Sequence, residues 1–238
     1  MELSAKQEQF NAAMERYTFQ TGYKVFGPLV SVANISLQLY LLYLAWPHSI
    51  GPIRQLVALV AAYLLTDFIN GLVHMYMDNN DRYDSIDGPL VANFHLHHRT
   101  PLYQRRNLLI VYFNETGSKV WLVGYLLLVV IVQAFFTVNP TLLYILVYFG
   151  ILSSVAEVSH YLCHSSTSPF ALFLARIGLL LPKRHHAAHH LQDNVSYAFL
   201  NGVTDPLLNR IAAACCKGYK QGTDLHYARY SGTATESR

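Results

Sequence analysis

Four histidines fall within six residues near the end of the chain, His185-His186-Ala187-Ala188-His189-His190. Three other histidine-bearing stretches precede them: His74-Met75-Tyr76-Met77-Asp78, Phe94-His95-Leu96-His97-His98 and His160-Tyr161-Leu162-Cys163-His164. Imidazole suits zinc, copper, iron and nickel, and histidines repeated at short spacing bring several nitrogens to one place. A single zinc takes about four ligands, and the supply here is roughly twice that. The surplus points to two metal ions. His160 and His164 are i,i+4 on one helix face, with Glu157 beside them. His185/His189 and His186/His190 make two further i,i+4 pairs on adjacent faces. Asp67, His74 and Asp78 form another stripe, at i, i+7 and i+11. Asp67 lies within an apolar run, where an ionisable side chain is costly and usually has a functional partner. The expected partner is a ligating histidine whose second ring N–H needs a carboxylate.

The elements that must hold these residues are membrane helices. The 238 residues are 53% hydrophobic and only 13% charged, which excludes an ordinary soluble domain. Apolar runs near the ~20 residues needed to cross a bilayer predict spans at about 27–46, 53–77, 120–138 and 141–161. Pro47 closes the first, and Asn139-Pro140 turns between the last two. The apolar stretch 170–181 is too short to cross and reads as an interfacial helix. The expected fold is an all-α integral membrane protein of about four transmembrane helices, with a histidine-rich metal site on the cytoplasmic side. Residues 1–26 form a cytoplasmic N-terminal segment, 27–210 the membrane-embedded domain and 211–238 a cytoplasmic tail.

Charge fixes the orientation. Of the seventeen lysines and arginines, only Arg54 falls in the loop after the first span, and none in the turn after the third. The positive-inside rule therefore puts both termini and the loop between spans two and three in the cytoplasm. Eleven of the twelve histidines then share that face; His48 alone lies opposite. Cys163, Cys215 and Cys216 form no CxxC pair and no disulfide framework. The first 25 residues contain no apolar core of a signal peptide. The net charge of +3, with no basic stripe interleaved with aromatics, gives no sign of nucleic-acid binding. GxSxG, HExxH and GxGxxG are absent, so any reducing equivalents must come from another protein.

The same stretches carry a resemblance. Asp67-Phe-Ile-Asn-Gly-Leu-Val-His74 with Asp78, Phe94-His-Leu-His-His98, His160-x3-His164 and Pro182-Lys-Arg-His-His-Ala-Ala-His-His190 resemble a small lipid-desaturase family. That family includes plasmanylethanolamine desaturase, the carotenoid regulator CarF and plant fatty acid desaturase 4. Tyr197 and the Asn201-Gly202…Pro206-Leu207 turn also look like it, so the likeness runs from about residue 63 to 210. It implies a non-haem diiron enzyme that uses two ferrous ions and O2 to desaturate a membrane lipid chain. Electrons would come from a cytochrome b5-like or ferredoxin-like donor. By motif position the catalytic ligands are His74, His97, His98, His160, His164, His186, His189 and His190, with Asp78 and His185 added to the metal set. Asp67 and Glu157 would support them from behind. His95 falls where the family does not require histidine. Met75 stands where the family usually has Trp, and the stretch after Asp78 also differs, so the lipid is left open. Arg99, Arg105, Arg106, Lys183 and Arg184 could hold a phosphate head group or an acidic donor protein. The alternatives are a diiron hydroxylase or oxygenase on the same scaffold and a non-redox zinc membrane protein.

The orientation has a direct check. Single cysteines placed at Thr100 and Ile50 are expected on opposite sides of the membrane, the former cytoplasmic. Labelling with an impermeant thiol reagent that finds Thr100→Cys outside and Ile50→Cys inside overturns it.

Overall fold

In the computed structural model, residues 2–99, 107–192 and 195–216 are described, and among them there is no strand. The long apolar runs become α2 (Thr21–Ala45), α3 (Gly51–Asp78) and α7 (Pro140–Ser165), each long and apolar enough to cross a bilayer. Local chemistry sets their ends. Pro140 occupies the first turn of α7, where its missing N–H costs nothing, and the Asn139 side chain accepts from the N–H groups of Thr141 and Leu142. Helices α3 and α7 make the most extensive packing in the molecule. Their shared face is partly polar, with Asn70 donating to Ser153 Oγ at 3.1 Å.

The stretch expected as a 120–138 span behaves differently. Helix α6 (Val120–Phe135) has 16 residues, about 24 Å at ~1.5 Å per residue, which is short of the ~30 Å hydrocarbon core. Before it lies α5 (Leu108–Thr116), at 84° to α6, a bent pair of the kind that a broken span or a re-entrant loop makes. The break falls on the polar sequence Gly117-Ser118-Lys119. Lys119 is buried and pairs with Glu157 of α7 at 2.8 Å. The corner packs on α2 so tightly that a Cβ on Gly117 would meet the Gly27 carbonyl oxygen at 2.7 Å.

Five other helices surround the membrane bundle. Helix α1 (Glu2–Phe19) lays Phe10, Ala13 and Met14 against α4 (Gly88–Arg99), burying Tyr83, Val91 and Ala92. Lys6 ties it further to Asp81. Helix α8 (Pro169–Arg176), within the 170–181 stretch, ends at Gly178, whose φ of +77° suits glycine. None of its residues is buried, and Phe170, Leu172 and Phe173 are exposed, as a helix lying in a membrane interface requires. Helices α9 (Lys183–Leu191) and α10 (Asp205–Cys215) complete the described chain, with Leu208 and Ala212 of α10 seated on Met75 of α3. The end of the expected 211–238 tail lies outside the described residues.

Gly117→Ala is expected to destabilise the protein by on the order of 1–3 kcal/mol through overpacking. Thermal unfolding in detergent, compared with Gly124→Ala, whose Cβ would meet nothing within 4 Å, checks this.

Candidate metal centre

Four helices deliver the donor atoms. Helix α3 brings His74 and Asp78, α4 brings His97 and His98, α7 brings His160 and His164, and α9 brings His186, His189 and His190. They sort into two groups able to hold a metal ion: His97, His164, His186 and His190 in one, and His74, Asp78, His98 and His189 in the other. Within each group one donor atom per residue lies within 4.8 Å of the rest. Adjacent residues part company, since His97 and His98 serve different groups, as do His189 and His190. The groups are neighbours, with the His98 and His190 rings 4.9 Å apart.

In the first group the nitrogens crowd. His97, His160 and His164 form a triangle of Nε2 atoms with edges of 3.1, 3.1 and 3.2 Å. His186 Nε2 lies 2.9 Å from those of both His160 and His190. A neutral imidazole nitrogen either donates or accepts, so three at the corners of a triangle cannot all satisfy one another. Such corners lie about 1.8 Å from their common centre, close to the ~2.0–2.1 Å of a zinc–imidazole bond. A cation there satisfies every lone pair at once. Burial, reinforced by the neighbouring histidines, holds His97 and His186 well below the ordinary histidine range. They are therefore neutral, as ligands must be.

The second group centres on a fully buried carboxylate. Asp78 Oδ1 lies 2.8 Å from His98 Nε2, and Oδ2 lies 3.2 Å from His189 Nε2 and 3.4 Å from His74 Nε2.

The rear ring nitrogens reveal how the ligands are set. His74 Nδ1 donates to the Tyr197 carbonyl at 2.7 Å, His189 Nδ1 to that of Val195 at 2.9 Å, and His190 Nδ1 to that of His98 at 3.2 Å. A carbonyl only accepts, so each bond fixes the proton on Nδ1 and turns the Nε2 lone pair inward. His160 is placed otherwise, stacked on Phe199 at 4.4 Å, with Glu157 Oε2 3.9 Å from its Nδ1.

Two expectations need correction. His185, expected in the metal set, joins neither group. Its Nε2 instead bonds Asp205 at 2.5 Å, and that carboxylate raises its pKa. The rotation of α9 that turns His186 and His189 inward leaves His185 at the side, over Gly202. Asp67, expected behind a ligating histidine, instead clamps the turn before α10. It accepts from the backbone N–H groups of Asn201, Gly202 and Thr204 and from the Thr204 hydroxyl, at 2.7–3.1 Å. It acts on the ligands through the 195–205 segment, which carries the Val195 and Tyr197 carbonyls.

His95 is buried away from both groups, bonded to the Tyr83 hydroxyl and the Met77 carbonyl, each at 2.8 Å. His48 is exposed in the α2–α3 turn, at the opposite end of α3 from His74. Lys183 and Arg184 are exposed on the outer face of α9. The Arg99 side chain and Arg105 and Arg106 lie outside the described residues. Sequence reasoning missed Asp205, Asn70 and Lys119. Of these, Lys119 carried a signal, as a lone cation between apolar runs.

A cavity of about 610 Å³ reaches this centre, with His74, His97 and His160 in its wall beside Asn70, Lys119 and Glu157. Lys119 Nζ bonds Asn70 Oδ1 at 2.5 Å as well as Glu157, so the two buried charges offset each other. No solved structure matches the chain. The family model for the lipid desaturase domain matches residues 63–213, from the middle of α3 nearly to the end of α10 and across both donor groups.

Asp67→Asn, with an amide N–H facing donors, is expected to cost on the order of 3 kcal/mol. Thermal unfolding compared with the exposed His48→Ala checks this; equal stability of the two variants contradicts the clamp.

Proposed function

The chain belongs to the lipid desaturase family, and on that premise we propose that it is an oxygen-dependent desaturase of a membrane lipid chain with a non-haem diiron centre. The observation that carries this reading is the convergence of buried histidine nitrogens in two adjacent groups, with His74, His189 and His190 held by hydrogen bonds at their backs. One iron would be held by His97, His164, His186 and His190 with His160 against them, the other by His74, Asp78, His98 and His189. Bound iron supplies the one-electron redox and oxygen chemistry that side chains lack and zinc cannot provide.

The overall reaction balances. Two adjacent methylenes lose two hydrogen atoms, that is two protons and two electrons; an external carrier supplies two more electrons and the solvent two more protons, and O2 leaves as two waters. Cytochrome b5-like or ferredoxin-like proteins are the expected carriers. The residues of this chain bind, orient and exclude water. The carbonyls of Tyr197, Val195 and His98 hold the imidazoles in their metal-binding tautomer. Asp78 brings negative charge to one group, which offsets that of a cation. Phe199 packs on both His160 and His74, keeping the cavity wall between the groups apolar. The placement of the centre and both termini on the cytoplasmic side follows from the charge pattern alone.

The purified protein is expected to hold close to two irons per chain. One tightly bound zinc without iron would overturn the proposal. His186→Ala is expected to abolish lipid desaturation and lower iron content while still inserting in the membrane. His48→Ala should be nearly silent. His95→Ala should keep substantial activity at some cost in stability, since it loses two buried hydrogen bonds but no donor. Iron content and lipid profiles of the three variants at matched expression separate these outcomes.

A further inference from the structure

The cavity at the metal centre is not closed. A second, larger cavity of about 890 Å³ adjoins it, and the two share the lining residues Tyr23, Phe26, Val73, Met77, Leu90, Ser118 and Trp121. Beyond that shared wall the lining changes character. Ile69, Leu72, Tyr76, Ile86 and Val120 make the second cavity mostly apolar, whereas the first presents Asn70, Lys119 and Glu157. Tyr76 and Ile86 are exposed and stand at the mouth. Elements α2, α3 and α6 supply most of the walls, and these are the helices whose outer faces suit a bilayer. The mouth itself lies at the membrane-surface end of α3, between Tyr76 and Ile86 and the Asp87 carboxylate.

Resting on the desaturase reading, we propose that the apolar cavity receives one hydrocarbon chain of a membrane lipid from the bilayer, and that the shared wall at Val73, Leu90 and Trp121 selects the chain segment that meets the histidines. Three observations converge on a single chain as the occupant. Apart from Asp87 and Ser118 the lining is almost wholly apolar and aromatic, which suits burial of a methylene chain. The shared wall adjoins a lining that bears His97 of one donor group, His74 of the other and His160 beside them, so a chain that passes it approaches both groups. The charges deeper in are already paired, Lys119 with Glu157 and Asn70, so an uncharged occupant leaves none of them stranded.

Val73 is the residue through which selection is tested, because it lies in the shared wall immediately before His74. Val73→Phe adds bulk to that wall without touching a donor atom. It is expected to depress use of the preferred chain, or shift the double-bond position, by roughly tenfold in product ratio, the scale on which apolar pockets discriminate by a methylene or more. Iron content should stay at the unmodified level.

The deciding experiment does not depend on turnover. A phosphatidylcholine with a diazirine midway along one acyl chain is incorporated with the full-length protein into phosphatidylcholine vesicles, irradiated, and the labelled residues mapped. Label is expected at Leu72, Val73 or Leu90, and reduced at Leu90 in Val73→Phe. Label confined to outward positions such as Leu29 and Leu39 overturns the inference even if the protein desaturates lipid. Label in the cavity from protein that makes no desaturated lipid supports the chain site and overturns the desaturase reading instead. If Val73→Phe does not fold, the labelling map of the unmodified protein decides the question alone.

Discussion

A histidine can offer a lone pair to a metal only if its proton is held on the other nitrogen, and most of this molecule's architecture around the centre serves that requirement. The proton on His74 is held by the Tyr197 carbonyl and that on His189 by the Val195 carbonyl. Both carbonyls belong to the described part of the segment that leads into α10. Asp67 holds that segment by accepting backbone N–H groups of Asn201, Gly202 and Thr204. Asp205 adds bonds to Ala198 N and to His185. Two carboxylates that touch no donor atom thus govern where the donor atoms point. Supporting bonds of this kind orient ligands and raise their basicity.

The second constraint is electrostatic. Lys119 and Glu157 are buried among the helices, a costly place for charge unless it is paired. Their pairing draws the corner between α5 and α6 against α7 and keeps the bent pair in place. The same corner forms part of the cavity wall, so the break in the helix and the access to the centre are one feature.

How much was legible in the sequence follows from what each feature depends on. The histidines announced themselves by type and spacing, and the i,i+4 rule paired His160 with His164 and His186 with His190. His185 misled because spacing along a helix gives relative angles but not the rotation of the helix about its axis. That rotation is set by Asp205 and Gly202, distant in sequence. Asp67 was legible as a buried acid in need of partners, but not which partners, since backbone N–H groups leave no mark in a sequence. Hydropathy read 120–138 as a span because that run is almost wholly apolar, and composition cannot register the bend that joins it to α5. Helix α1 was hidden for another reason. Its apolar stripe, Phe10, Ala13 and Met14, is short and set among charges, and only its docking on α4 makes it matter.

The adjacent pairs His97-His98 and His189-His190 each straddle the two donor groups. Each residue of an α-helix turns about 100° from the last, so one inserted or deleted residue upstream in α4 or α9 would exchange or expel donors from both groups together. Side-chain changes on the outer faces, at Lys183, Arg184 or Ala187, would leave the centre intact. Descendants of this chain should therefore vary freely in composition on those faces, while the residue count of the two helices stays fixed.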